Sequence, residues 1–374
     1  MSTYVDIHVI QSLPPSCVNR DDSGSPKSAV YGGVRRLRVS SQSWKRAARL
    51  YFNNLLDASD VGVRTKRVAE LLAARITEDA PDLAESAPNL VGEVFKAAKI
   101  KLSAPRKKDG PLESGYLLFL STSQIARLAE LAIAAARGGE ALDAKAVKKI
   151  FKEAHAVDIA LFGRMVADNT DLNIDAACQV AHAISTHAAE NEYDFFTAVD
   201  DEKSRSEEED AGAGMMGTVE FSSATMYRYA TVNIDMLRHN LGDGQAALRA
   251  MEVFIRGFCL SMPTGKQNTF ANRTVPEAVV VAVREDQPVS LVGAFEEAVP
   301  AQGAHGYVAR SVEALARHAA TIEDNYGLEP LRSFVVALTD SDAVTLLGER
   351  VSFTDLPAQV REAVSPRLPG QEQA

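Results

Sequence analysis

Alternating and helical patterns of apolar residues divide the first part of the chain into distinct elements. Apolar positions alternate over residues 4–10 and again over 34–39, so both segments predict β-strands. The pair Gly32-Gly33 before the second strand predicts a turn. A period of 3.6 residues then predicts a helix over 41–55, which Ser40 or Ser41 can cap. The pattern predicts the order strand, loop, strand, helix.

The middle of the chain is rich in alanine and mostly helical in pattern. We interpret residues 59–181 as an insertion. Within it, Ser121 and Gln124 have the spacing of a capping box, and Gly138-Gly139 marks the end of the helix that follows. Residues 175–188 predict a further helix.

The last third of the chain alternates between strand and helix patterns. Strand patterns over 194–199 and 218–234 flank an acidic, glycine-rich loop and predict a protruding hairpin. A helix is predicted over 246–261 and a buried strand over 278–284. The last twenty residues are polar and contain proline, so we expect them to be frayed.

Composition favours a globular intracellular protein. The chain has 374 residues, of which 46% are hydrophobic and 24% are charged. Its three cysteines, Cys17, Cys178 and Cys259, are odd in number and widely spaced, which argues against disulfides or a zinc ribbon and favours the reducing cytoplasm. No aliphatic stretch is long enough to span a bilayer, so no membrane contact is expected.

Charge is distributed unevenly along the chain. The net charge of −10 argues against a nucleic-acid partner, but binding depends on local charge. Residues 23–56 contain no acidic residue and form a basic strip, with Lys27, Arg35, Arg36, Arg38, Lys45, Arg46 and Arg49. A second basic run covers 96–108, and the opposite extreme is 200–210, which holds seven acidic residues.

The basic strip has the composition of a phosphate-binding surface. Phosphates bind fixed cations, hydroxyl groups and helix N-termini, and residues 38–46 supply all three at the start of the predicted helix. Strand alternation places Arg36, Arg38 and Ser40 on one face. The pattern predicts contact with a nucleic-acid backbone but does not distinguish RNA from DNA.

Other motifs give weaker indications. Gly212, Gly214 and Gly217 match GxGxxG, but the surrounding acidic residues would repel a pyrophosphate. His182 and His187 are five residues apart, which does not place them on one helix face. We therefore expect no cofactor and no metal.

Several short segments together resemble a known family. They are residues 7–9, 15–22, 31–33, 38–43, 158–165, 181–187, 196–201, 220–223 and 227–230. In these segments the chain resembles the CasC family, the crRNA-binding backbone subunits of the type I-E CRISPR Cascade complex. The resemblance extends from the start of the chain to about residue 340.

The resemblance implies an α+β fold with an RRM-like (ferredoxin-like) palm, an inserted helical finger and a protruding β-hairpin thumb. On this basis residues 1–58 and 182–374 form the palm, 59–181 the finger and 194–232 the thumb. Contacts with the RNA backbone are implied for Arg20, Lys27, Arg38, Ser40, Gln42, Lys45, Arg46, Arg49 and, from a segment that also looks like the family's, Lys266. Contacts that kink the bases are implied for Met165, Phe196, Thr197 and Met216.

The resemblance also implies partners and a non-catalytic role. The partners are the crRNA, target DNA through the guide, further copies of the chain and the other Cascade subunits: the large and small subunits and the CasD-like and CasE-like subunits. A helicase-nuclease partner would cleave the target. The alternative is a metal-dependent ribonuclease that uses Asp200 and Asp201, with Asp158 as a further candidate ligand.

Overall fold

The computed structural model describes residues 2–104, 110–198, 215–301 and 306–368. The strands are β1 Tyr4–Ser16, β2 Ser28–Tyr31, β3 Val34–Val39, β4 Gly62–Thr65, β5 Leu102–Ser103, β6 Glu113–Ser114, β7 Leu118–Ser121, β8 Cys178–Val180, β9 Ala183–Ser185, β10 Glu192–Ala198, β11 Met215–Asn233, β12 Ala278–Arg284, β13 Arg332–Ala337 and β14 Glu349–Arg350. The helices are α1 Ser41–Phe52, α2 Val68–Asp79, α3 Ala87–Ala97, α4 Thr122–Gly138, α5 Ala144–Lys152, α6 Val157–Phe162, α7 Ile234–Leu241, α8 Gly244–Leu260, α9 Gln267–Phe270, α10 Val308–Tyr326 and α11 Leu356–Val364.

A mostly antiparallel sheet forms the centre of the α+β fold, as predicted. Its path runs β14-β13-β12-β1-β11-β9-β3-β2, and β8 and β10 pair with β11 beside this path. β12 is buried along its whole length, which fits its nearly continuous apolar sequence. The predicted hairpin is present as β10 and β11. The helices α2 to α5 occupy the segment that was interpreted as an insertion.

Apolar side chains cover both faces of the sheet. On one face, Val5, Ile7 and Val9 of β1 join a core with residues of α1, α8 and α11. On the other face, Ile10 and β12 residues join a core with α10. A separate core unites buried residues between Val68 and Leu172, which places the helical insertion around its own centre.

The predicted capping box and helix end in the insertion are confirmed. The Ser121 hydroxyl accepts from the Gln124 backbone N–H at 2.9 Å, and the Gln124 side chain accepts from the Ser121 backbone N–H at 3.1 Å. Gly139 ends α4 with φ of 65°. Local sequence chemistry determines both ends of this helix.

Two sequence predictions of secondary structure are wrong. The helix predicted over 175–188 is replaced by β8 and β9, which pair with β11 through Val180–Ala230 and Ser185–Met226. Pairing in the sheet overrides the helix propensity of this segment. Part of the C-terminal segment that was predicted to be frayed forms the helix α11, whose Leu356, Val360 and Val364 are buried.

Candidate nucleic-acid interface

Hydrogen bonds connect Asn19 and Lys27 to the end of β3 at Arg38 and Ser40. We call this region the junction. The Lys27 N–H donates to the Asn19 carbonyl at 3.0 Å, and the Arg38 N–H donates to the Lys27 carbonyl at 2.8 Å. The Ser40 N–H donates to Asn19 Oδ1 at 2.9 Å. The segment before β2 therefore lies against the end of β3, directly at the entry to α1.

Arg20 begins a tight loop that a carboxylate organises. Asp21 Oδ1 accepts from the backbone N–H groups of Ser23 and Ser25 at 2.9 and 3.0 Å and from the Ser23 hydroxyl at 2.7 Å. These hydrogen bonds, led by the Ser23 hydroxyl, lower the pKa of Asp21. Arg20 pairs through its backbone with Pro26 and is exposed. The loop holds an exposed arginine next to the junction.

Arg38 and Lys27 form the cationic part of the junction. Arg38 donates from Nε to the Ser28 carbonyl at 3.2 Å, and its Nη1 lies 3.1 Å from His182 Nδ1. Partial burial, together with the positive charges of Arg38 and Lys27, lowers the pKa of His182. The burial and the two cations thus disfavour a further positive charge on the imidazole, which can still take part in hydrogen bonds.

The surroundings of Arg36 differ from the prediction that it lies on a phosphate-binding face with Arg38. The alternation of β3 is as predicted, but Arg36 is fully buried rather than presented with Arg38. Its guanidinium donates to the carbonyls of Ser185 at 3.1 Å and Phe295 at 2.9 Å. A buried arginine that satisfies backbone carbonyls holds the sheet to the segment beyond β12 and is not available to a ligand.

Helix α1 presents the second part of the basic strip. Ser40 is its N-cap, and its buried hydroxyl accepts from the Ser43 N–H at 3.4 Å. Gln42 and Arg46 are exposed. Lys45 is partly buried, with Nζ 5.7 Å from the centre of the Phe162 ring. The buried stripe of Trp44, Ala47, Ala48 and Phe52 keeps these polar side chains on the opposite side.

Arg49, at the last turn of α1, has a partner within the protein. Its Nε donates to Asp158 Oδ2 at 3.1 Å, and its guanidinium lies 4.4 Å from the centre of the Phe119 ring. Asp158 is fully buried and also accepts from the Gly62 N–H at 2.9 Å. Burial raises the pKa of Asp158, and Arg49 opposes that rise. The pair joins α1 to the insertion, and a phosphate contact by Arg49 stays a prediction.

The loop that contains Lys266 lies beside Arg20. Gly265 packs against the Cys17–Val18 backbone so closely that a Cβ would lie 2.4 Å from the Val18 carbonyl oxygen. Burial raises the pKa of the Cys17 thiol, while the positive charges of Arg20 and Lys266 both lower it. Two candidate cations from distant parts of the chain thus lie near one thiol.

The hairpin of β10 and β11 places the predicted base contacts on two faces. Thr197 is opposite Met216, and Phe196 is opposite Gly217. Directly opposite residues share a face and neighbouring residues alternate, so Phe196 lies on the other face from Thr197 and Met216. A Cβ on Gly217 would lie 2.6 Å from Phe196 Cζ, so the phenyl ring covers the glycine. Met216 is 65% exposed.

Met165 projects from a rigid turn after α6. Arg164 and Ile174 exchange backbone hydrogen bonds of 3.0 and 2.9 Å, and the buried Arg164 guanidinium donates from Nε to the Leu172 carbonyl at 3.1 Å. The Met165 side chain itself is 77% exposed. The base contact of Met165 stays a prediction.

Two exposed aromatic residues were missed by sequence reasoning. Tyr193 and Phe195 on β10 are 68% and 64% exposed, and they share the face of Thr197 and Met216. The alternation of residues 193–197 contained the signal, because two aromatic residues two positions apart fall on one face. This face of the hairpin is therefore more aromatic than predicted.

Asp200 and Asp201 lie outside the described residues, as do residues 202–210 and Arg106, Lys107 and Lys108 of the second basic run. Within the described ranges, no group of three or more His, Cys, Asp or Glu residues could hold a metal ion. No helix in these ranges is both long and apolar enough to cross a membrane.

The fold and the site define an RRM-like α+β protein with a basic strip and a protruding hairpin. The chain belongs to the CT1975-like protein family, whose model matches residues 5–359. A chain of a solved "CRISPR RNA-guided surveillance complex, pre-nicking" is 38% identical, with 96% of this chain and 99% of that chain covered and a TM-score of 0.86. A chain of a second "CRISPR RNA-guided surveillance complex" is 32% identical, with the same coverage and a TM-score of 0.74.

A search of curated proteins gave no match. The structural neighbours are subunits of CRISPR RNA-guided surveillance complexes, so the resemblance seen in the sequence is confirmed at that level. The type I-E assignment within it stays a prediction.

Proposed function

We propose that the chain is the guide-RNA-binding backbone subunit of a type I-E CRISPR surveillance complex of the Cascade kind. The observation that carries the proposal is the likeness over 96% of the chain to a surveillance-complex subunit, combined with a basic strip at the start of α1. Copies of the chain would stack along the spacer of the crRNA. The role is structural and not catalytic.

A guide strand must be held whatever its sequence, so the protein should bind phosphates and sugars and leave base edges free. Arginine, lysine, hydroxyl and amide side chains serve this purpose because phosphate oxygens accept hydrogen bonds from all of them. The residues assigned to this contact are Arg20, Lys27, Arg38, Ser40, Gln42, Lys45, Arg46, Arg49 and Lys266.

The hairpin would interrupt the stack of bases at intervals. Stacking on apolar and aromatic side chains tolerates any base because every base has a π-face. Phe196 on one face and Thr197 with Met216 on the other could contact the nucleotides on either side of a kink. Met165 would support the kink from the finger.

The proposed partners follow from this role. They are the crRNA, target DNA that pairs with the guide, further copies of the chain and the remaining Cascade subunits, namely the large, small, CasD-like and CasE-like subunits. Cleavage of the target would be performed by a helicase-nuclease that the assembled complex recruits.

The nucleic acid that co-purifies with the chain tests the proposal. We expect RNA that contains CRISPR repeat and spacer sequence when the chain is expressed with a CRISPR array and the other subunits. Added complementary RNA should stay intact with magnesium. Absence of guide RNA contradicts the proposal, and magnesium-dependent cleavage that Asp200→Ala with Asp201→Ala abolishes would establish the ribonuclease instead.

A further inference from the structure

His182 lies in the short connection between β8 and β9, beside the basic strip. The Ala181 N–H donates to a carbonyl of β11 at 2.9 Å, and Ala183 pairs with Val39 at the end of β3. Strand pairing therefore fixes the backbone on both sides of His182. The same register, continued by one residue, brings His182 to the level of Ser40, the N-cap of α1. The side chain of His182 is exposed.

Arg38 determines which nitrogen of His182 carries the proton. Arg38 Nη1 lies 3.1 Å from His182 Nδ1. A guanidinium can only donate hydrogen bonds, so Nδ1 must accept, and the N–H of the neutral imidazole lies on Nε2. Partial burial and the positive charges of Arg38 and Lys27 lower the pKa of His182, which favours this neutral form. His182 thus presents a fixed donor at Nε2.

This donor can be reached by a ligand. The Nε2 atom of His182 has no hydrogen-bond partner among the described residues. Because the side chain is exposed, a ligand can approach Nε2 without a change of fold. The charged groups that face the imidazole are Arg38 and Lys27, and both attract phosphate. A phosphate oxygen accepts hydrogen bonds, so it matches the donor at Nε2.

We propose that His182 is a further guide-binding residue whose Nε2–H donates to a phosphate oxygen of the RNA. This inference rests on the proposed function and adds a residue to it. A neutral donor releases no counterion, so this contact strengthens binding without increasing its salt dependence, whereas each lysine or arginine contact increases both. Arg38 orients the imidazole, and the imidazole contacts the phosphate.

Two substitutions separate the donor at Nε2 from the acceptor at Nδ1. The amide oxygen of asparagine is bonded to Cγ, as Nδ1 is, so His182→Asn keeps an acceptor for Arg38 and lacks the outer donor. The amide of glutamine lies one bond further out, so His182→Gln keeps a donor at the reach of Nε2. We expect His182→Asn to weaken the binding of oligouridylate by roughly 2- to 12-fold, which corresponds to one lost hydrogen bond. His182→Gln should lose less.

The salt dependence of the same binding at about pH 8 is an independent readout. Histidine is neutral at this pH, because its ordinary pKa is about 6.5. His182→Asn should keep the slope of log affinity against log salt concentration, whereas Arg38→Ala should flatten it by about 0.7. His239→Asn, at an exposed position on α7, is the matched control and should change neither the affinity nor the slope. Circular dichroism checks that each variant is folded.

Two results would overturn the histidine contact and leave the proposed function intact. One is wild-type affinity in His182→Asn, because the histidine would then only hold Arg38. The other is a flatter salt slope in His182→Asn, because a charged contact would then have been lost. Failure of the wild type to bind oligouridylate would contradict the proposed function as well.

Discussion

Three arginines of the basic strip have different surroundings. Arg36 is buried against backbone carbonyls, Arg49 pairs with buried Asp158, and Arg46 is exposed. The sequence predicts the positive charge of each but not its surroundings, because the partners lie more than a hundred residues away in the chain. Arg46 is thus better placed for a phosphate contact than Arg36 or Arg49.

Loss of Arg49 should destabilise the protein. Arg49→Ala leaves the buried Asp158 carboxylate without its cation, and breaking a buried pair costs about 3–5 kcal/mol, so we expect about 3 kcal/mol for this partly exposed arginine. Urea unfolding measures the change. Arg49→Ala with Asp158→Asn should cost less than the sum of the single substitutions. Arg46→Ala, one turn earlier and exposed, is the control. An unchanged free energy of unfolding in Arg49→Ala would show that the pair contributes nothing.

Among the helices and strands, the sequence predicted the ones that are determined by the residues within the element itself. α1, the capped helix α4, the buried strand β12 and the hairpin are observed as predicted. β8 and β9 were missed because they are three residues long and gain their stability from pairing with β11. The helix α11 was missed because its polar flanks mask the buried Leu356, Val360 and Val364.

The contributions of Phe196 and Met216 to the affinity for RNA should be independent of each other. Phe196→Ala should weaken RNA binding by on the order of 1–3 kcal/mol, because it removes an aromatic stacking contact. Met216→Ala should also weaken RNA binding, because it removes an apolar contact with a base. Since the two side chains lie on opposite faces, the double variant should equal the sum within about 0.5 kcal/mol. Fluorescence anisotropy with single-stranded RNA provides the affinities, and Tyr4→Phe on β1 serves as a control. A double variant no weaker than the single ones would contradict separate contacts.

At the scale of the whole molecule, a net charge of −10 coexists with a local basic surface. The sequence predicted the strip and its position at the start of α1, because the charges are contiguous in the chain. It did not predict that the segment 262–274 packs against Val18 and Gln11, because these contacts join distant parts of the chain. Surfaces assembled from distant segments are beyond a single-sequence pattern.

The most direct test of the basic strip is the salt dependence of binding to single-stranded oligouridylate. Each phosphate contact contributes about 0.7 to the slope of log affinity against log salt concentration, so Lys45→Ala with Arg46→Ala should lower both the affinity and the slope, the latter by about 1.4. Arg249→Ala with Arg317→Ala removes the same charge from exposed positions on α8 and α10 and is the control. We expect a flatter slope only in the first double variant. Wild-type affinity and slope in that variant would contradict phosphate binding at the basic strip.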